Sequence, residues 1–142
     1  MISELELVKH MKYISTLARM AVSVEPVRKA RLASCLVHQN TVVAFGINQL
    51  KSHPFQFKFS KNDDSIYLHS EVDCIKNSLR FLDADQIKKS TLYVCRVKYT
   101  STEKKSMIFG LAKPCIGCAR AITSFGIKKV VYTENGDSIS VL

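Results

Sequence analysis

Three segments with strand periodicity, residues 41–47, 91–98 and 128–133, are separated by two segments with helical periodicity, residues 69–82 and 114–125. Strands joined through a helix run parallel, and such crossovers close right-handed. A strand–helix–strand–helix–strand middle therefore constrains the chain to an α/β fold with a parallel core.

The flanks complete the layers. Ile2, Leu5, Val8, Tyr13 or Ile14, Leu17 and Ala18 recur at spacings near three and four, which predicts an amphipathic helix over residues 3–21. Ser3 stands as its N-cap, with Glu4 and Glu6 in the first turn. Residues 31–37 and 41–47 flank the polar His38-Gln39-Asn40 and read as a hairpin. Residues 48–65, with Pro54 and Asn62-Asp63-Asp64, read as a loop. Residues 99–113 form a connection, with a hairpin turn near Thr102-Glu103. Pro114 opens the second crossover helix and Gly126 closes it. Asn135-Gly136 is a tight-turn signal, so residues 138–142 return antiparallel. The expected fold is a three-layer α-β-α sandwich around a central mixed five-stranded sheet.

The 142 residues make one domain over the whole length, with no repeat or low-complexity segment. A hydrophobic fraction of 46% and a charged fraction of 23% exclude disorder. No apolar run approaches the roughly 18 residues of a membrane helix, and the acidic start is no secretory signal. Five cysteines with one close pair do not form a disulfide framework. A reducing cytoplasm is the expected compartment, where a close pair means metal or redox chemistry. The net charge of +9 favours an anionic partner, or serves only solubility.

Two short motifs open the two crossover helices: His69-Ser70-Glu71 and Pro114-Cys115-Ile116-Gly117-Cys118. Cys115 and Cys118, three apart, share one face of a first helical turn, where the helix end stabilises thiolates. His69 can add a neutral nitrogen from the other helix. Two thiolates and one imidazole suit Zn²⁺ and leave a fourth tetrahedral position open, the pattern of a catalytic site. Glu71 can reach the same place from its helix start as a proton carrier. Two other readings of the cysteine pair stand. Half of a structural zinc site would need a second close pair, and the sequence has none. A thioredoxin-like redox motif would leave His69 and Glu71 without a role.

An H-x-E followed by P-C-x-x-C resembles the signature of the zinc-dependent cytidine and deoxycytidylate deaminase superfamily, over residues 30–134. The resemblance implies Zn²⁺ on His69, Cys115 and Cys118, with Glu71 moving protons while a cytosine amine leaves as ammonia. Gly46-Ile47-Asn48 resembles a G-x-N that contacts the sugar in many members, which makes Asn48 a ribose ligand or else a turn residue. The His69 form is similar to deoxycytidylate, tRNA-adenosine and polynucleotide deaminases, while the terminal hairpin without a helix resembles the free-nucleoside group. Residues 99–112 exceed the compact family pattern and would form a flap near the site. Ala112-Lys113-Pro114-Cys115 also resembles deaminase-like bacteriophage proteins, for which the compartment would be the host cytoplasm.

Ser70 and Pro114, inside the two motifs, are further candidates for contact with substrate. Phe55, Phe57 and Phe59 alternate among Lys51, Lys58 and Lys61. Such a stretch can stack bases of single-stranded nucleic acid, or it packs against the core as a half-buried strand. Phe55 and His53 border the pocket on the first reading. The function expected is hydrolytic deamination of a cytosine nucleoside or nucleotide by a homo-oligomer that contacts no membrane. A polynucleotide deaminase and a non-catalytic zinc scaffold are the alternatives.

Overall fold

The structure is a computed structural model that describes residues 2–27, 29–59, 67–100 and 106–142. The expected turn at Thr102-Glu103, and Lys61 and Asn62-Asp63-Asp64 of the expected loop, lie outside those residues.

Along the chain run α1 (Glu4–Val22), β1 (Arg31–His38), β2 (Thr41–Ile47), α2 (Pro54–Phe57), α3 (Ser70–Ser78), α4 (Ala84–Lys88), β3 (Thr91–Tyr99), β4 (Met107–Gly110), α5 (Ile116–Ser124), β5 (Lys129–Thr133) and β6 (Ile139–Val141). The sheet order is β2-β1-β3-β5-β6, with β4 paired to β3 off that path. β3 and β5 are parallel, as their helical crossover requires, and the other pairs are antiparallel. The expected five strands become six. Residues 107–110, expected in a connection, continue the sheet because Tyr99 and Met107 begin an antiparallel ladder down to Arg96 and Gly110.

Strand alternation sends alternate side chains to two cores. Ala33, Cys35, Tyr93, Cys95, Val97 and Val131 face α1, which answers with Tyr13, Ile14, Leu17 and Ala21. His10 Nδ1 meets the Tyr93 hydroxyl at 2.7 Å in this layer. Leu36, Leu92, Val94, Val130 and Tyr132 face the opposite way, against Val72 and Ile75 of α3 and Cys118 and Ala121 of α5. The two motif-bearing helices therefore share one face of the sheet. Cys35, Cys74 and Cys95 are fully buried, and burial pushes the thiols of Cys35 and Cys95 up to about 12. They are core residues, far from the nucleophilic range.

Ser3 caps α1 by accepting the Glu6 N–H at 3.2 Å. Gln39 and Asn40 turn the first hairpin with φ of 51° and 62°, the twist that suits a two-residue link. The expected loop contains a helical turn, α2, because His53 Nδ1 accepts the Phe55 N–H at 3.0 Å and Pro54 occupies the first turn.

Gly46 lets β2 and α3 touch. A Cβ there would collide with the Ser70 carbonyl oxygen and the Cys74 backbone nitrogen and carbon. These are backbone atoms of the helix that carries Glu71, so nothing small can yield. Gly46→Ala is expected to destabilise the fold by about 3 kcal/mol, and to lower activity further by displacing α3. Denaturant unfolding checks this, and a variant as stable as the parent would contradict it.

Candidate metal centre and cleft

His69 is the N-cap of α3, with extended backbone angles and no capping bond from its side chain. Its own N–H is taken by Oε1 of the buried Gln56 at 3.1 Å. The imidazole is thereby free to turn outward from the helix end. Cys115 is the N-cap of α5, and its Sγ accepts the Cys118 N–H at 3.5 Å. The expected helix start at Pro114 moves two residues on, to Ile116, because Cys115 has extended angles and acts as the cap.

The two helix ends converge. His69 Nδ1 lies 3.2 Å from Cys118 Sγ and 3.5 Å from Cys115 Sγ. All three donor atoms fall within 4.8 Å of one another. Ligands at about 2.05 Å (N) and about 2.3 Å (S) on tetrahedral zinc stand about 3.6 Å apart. The spacing and the soft donor set therefore fit Zn²⁺, and three protein donors are the number that a catalytic zinc site supplies.

The three donors share protons. Cys115 is pulled down to about 3, first by the hydrogen bond from Cys118 and also by that from His69. Cys118 is held well above its ordinary value by donating to Cys115 and by burial, and His69 is raised by its bond to Cys115. A metal needs both thiolates and a neutral imidazole, so it must displace the proton of Cys118 and any on His69. Zinc affinity is therefore expected to rise with pH, by about tenfold per pH unit for each proton released. Competition with a chelator at pH 6, 7 and 8 measures this, and an affinity independent of pH would contradict it.

Glu71 is buried, two residues from His69, and its Oε1 accepts the Ser70 hydroxyl at 2.7 Å. Ser34 of β1 donates to Ser70 Oγ at 2.8 Å, so a chain of two hydroxyls fixes the carboxylate from the sheet. Glu71, His69, Ser70, Asn48 and Cys115 line one cleft of about 400 Å³. The amide of Asn48 spans β1: Oδ1 accepts the Leu32 N–H at 2.8 Å and Nδ2 donates to the Ala30 carbonyl at 2.9 Å. Asp73 holds the adjoining chain by accepting from Ile47 N–H and Gln49 Nε2, both at 3.1 Å.

Among the described residues, His53, Phe55 and Pro114 are not part of the cleft lining. His53 caps α2. Phe55 packs its ring 5.5 Å from Phe59 and 6.0 Å from Phe125, against the core below α3 and α5. Phe57 points away and is half exposed. The alternation read as strand or stacking platform is thus a short helix, with Phe55 inside it and Phe59 two residues past its end, both turned to the core. The sequence reading did not select Ser34, Gln56, Asp73 or Arg96. The last carries a signal: it is a charged residue at an inward register position of an otherwise apolar strand.

Residues 6–134 match the family described as the cytidine and deoxycytidylate deaminase zinc-binding region. The chain belongs to the cytidine and deoxycytidylate deaminase family. The family's metal is zinc, and the His69, Cys115 and Cys118 cluster fits it. No curated protein matches the chain. Among solved structures, the dCMP deaminase of cyanophage S-TIM5 in apo form superposes with a TM-score of 0.57 at 18% identity, covering 88% of this chain and 82% of that one. The same enzyme in complex with dCMP and dUMP gives 0.51 at 16% identity, covering 93% and 83%. RibD of Acinetobacter baumannii gives 0.51 at 17% identity, covering 90% of this chain but 28% of that one. At these identities the likeness is one of fold, the three-layer deaminase-like architecture. No helix among the described residues is long and apolar enough to cross a membrane.

Proposed function

We propose that the chain catalyses hydrolytic deamination of a cytosine nucleoside or nucleotide, with deoxycytidylate favoured, giving the uracil product and ammonia. The observation that carries this reading is the convergence of His69, Cys115 and Cys118 beside the buried Glu71 at one end of a cleft.

When bound, zinc makes water a nucleophile near neutral pH by lowering its pKa from about 15.7 to about 7. Glu71 takes the proton that water loses and delivers it to the ring nitrogen next to the amine-bearing carbon. Once water's oxygen has bonded to that carbon, Glu71 would take the remaining proton from this oxygen and pass it to the amine, so that the C–N bond breaks, the carbonyl forms and ammonia leaves. Ser70 holds Glu71 Oε1 throughout, which leaves the other carboxylate oxygen for the transfer. Glu71, Ser70 and Cys118 are buried, which shields the proton-carrying group from bulk water, while Cys115 at the other helix start is exposed.

The net charge of +9 supports an anionic substrate, and the cyanophage neighbour crystallised with dCMP and dUMP supports a mononucleotide. A polynucleotide substrate would want the aromatic stretch on the surface. Phe55 and Phe59 are instead packed inward, which weakens that reading. Family practice further leads us to expect a homo-oligomer.

The test is ammonia release by zinc-loaded protein with cytidine, deoxycytidine, their monophosphates and cytosine-containing single strands of DNA and RNA. Turnover of a mononucleotide or nucleoside is expected. Turnover of the strands alone, falling steeply with salt, would replace this reading by the polynucleotide one. Silence across the panel with zinc bound would favour the non-catalytic scaffold.

A further inference from the structure

Arg96 stands at the end of β3 where alternation calls for an apolar side chain. Tyr93, Cys95 and Val97 face α1, whereas Leu92 and Val94 face α3 and α5. Arg96 continues the second set, and it lines the cleft that holds Glu71 and His69. Its stem lies across Gly110: a Cβ there would meet Arg96 Cδ, Cγ and Nε at 2.9–3.1 Å. The absent side chain of Gly110 is what makes room for the arginine.

Arg96 Nε is buried and has no hydrogen-bond partner. Among the described residues only one other buried side-chain nitrogen or oxygen, His10 Nε2 under α1, is in that condition. A buried donor without an acceptor costs the fold stability, so folding alone does not explain an arginine at this inward position. Lys113 lines the same cleft with an exposed side chain. Neither cation is neutralised from within: Lys76–Asp73 is the one ion pair among the described residues. Among the described residues that line the cleft, Glu71 is the only acidic one. A neutral base or sugar would leave Arg96 and Lys113 in excess over Glu71. A phosphate would complement that excess, and guanidinium takes the oxygens of a phosphate through paired N–H donors.

We propose that Arg96, assisted by Lys113, is the specificity-determining residue that binds the phosphate monoester of the nucleotide in this cleft. The inference rests on the deaminase reading of the same cleft and names its substrate class: a nucleoside monophosphate rather than a free nucleoside.

The experiment measures binding of dUMP and of deoxyuridine to zinc-loaded protein by calorimetry. It compares the parent with Arg96→Met, which keeps the stem over Gly110, and with Arg96→Lys and Lys113→Ala. The preference for dUMP over deoxyuridine is expected to fall about 10- to 100-fold in Arg96→Met, in line with the loss of a charged hydrogen-bond pair. It should recover in part in Arg96→Lys, and fall less in Lys113→Ala. In turnover, the loss should appear in KM for deoxycytidylate more than in kcat. An unchanged preference in Arg96→Met overturns the proposal, and so does an equal loss for both ligands. If Arg96→Met does not fold, an unchanged preference in both Arg96→Lys and Lys113→Ala overturns it. The two readings fail separately. A parent that releases no ammonia yet binds dUMP through Arg96 keeps the phosphate site and loses the deaminase. A parent that deaminates cytosine nucleosides with no preference for the monophosphate keeps the deaminase and loses the phosphate site.

Discussion

Replacing Glu71 by glutamine is expected to leave zinc bound and to lower turnover by about 10²- to 10⁴-fold, the usual contribution of one positioned acid–base group. The amide keeps an oxygen for the Ser70 hydroxyl, so the hydrogen bond to Oε1 survives. What disappears is the ability to take a proton from water and give it to the ring. Glu71→Ala should lose at least as much, and it also leaves the Ser70 hydroxyl without its acceptor, at a cost of about 1 kcal/mol or more. Zinc content and steady-state rates on the same samples decide the matter. A glutamine variant with full activity would remove Glu71 from the chemistry. A variant without zinc would make it a support of the metal instead.

Cys118→Ala should abolish stable zinc binding. Cys118 is fully buried, and among the described residues only His69 and Cys115 join it in a cluster that could hold a metal. Losing a neighbour of a metal ligand already weakens affinity by about 10- to 100-fold, and losing the ligand should exceed that. Zinc at about 100 times its Kd stabilises the protein that binds it by about 2.7 kcal/mol. The parent should therefore melt higher with zinc than without, while Cys118→Ala should melt at one temperature in both. Cys74→Ala is the control. Cys74 is equally buried and donates to the Ala44 carbonyl at 3.6 Å, on the far side of α3's first turn from the cluster. It should lose packing stability and keep the zinc-dependent rise. A Cys118→Ala protein that still carries one zinc per chain would refute the ligand set.

The layers were legible because they depend on local periodicity. Helical spacing in residues 3–21 and alternation in residues 31–47 and 91–98 mark surfaces that must be buried on one side, and α1, β1, β2 and β3 follow. The motif helices were legible because a histidine before Ser70-Glu71 and a cysteine after Pro114 can each serve as an N-cap. His69 and Cys115 stand at helix caps and Cys118 lies in the first turn of α5, three residues on, which is why the three could be expected to meet.

Other features were hidden because their causes are tertiary. Phe55, Phe57 and Phe59 satisfy a strand pattern as well as a helical one. The His53 cap and Pro54 start the helical turn, and Phe125 opposite gives Phe55 and Phe59 a ring to pack on. The hairpin expected within residues 99–113 appears as the antiparallel pair of β3 and β4, though its bounds and register come only from the ladder to β3. Gln56 supports the His69 backbone across a gap of 13 residues, and no local pattern encodes that bond. Gly46 looked like part of a sugar-binding motif, yet in the structure its missing side chain serves the contact between β2 and α3. Asn48 lines the cleft while both ends of its amide tie β1, so a structural duty and a place beside the substrate coincide in one residue.

The most direct measurement is a zinc titration of metal-free protein, followed by the rate of deoxycytidylate deamination at each addition. Activity should rise linearly and stop at one zinc per chain, and Glu71→Gln should take up the same zinc while staying inactive. Full turnover in the presence of excess chelator would contradict zinc dependence. One zinc per chain without turnover of any cytosine nucleoside or nucleotide would contradict the deaminase itself.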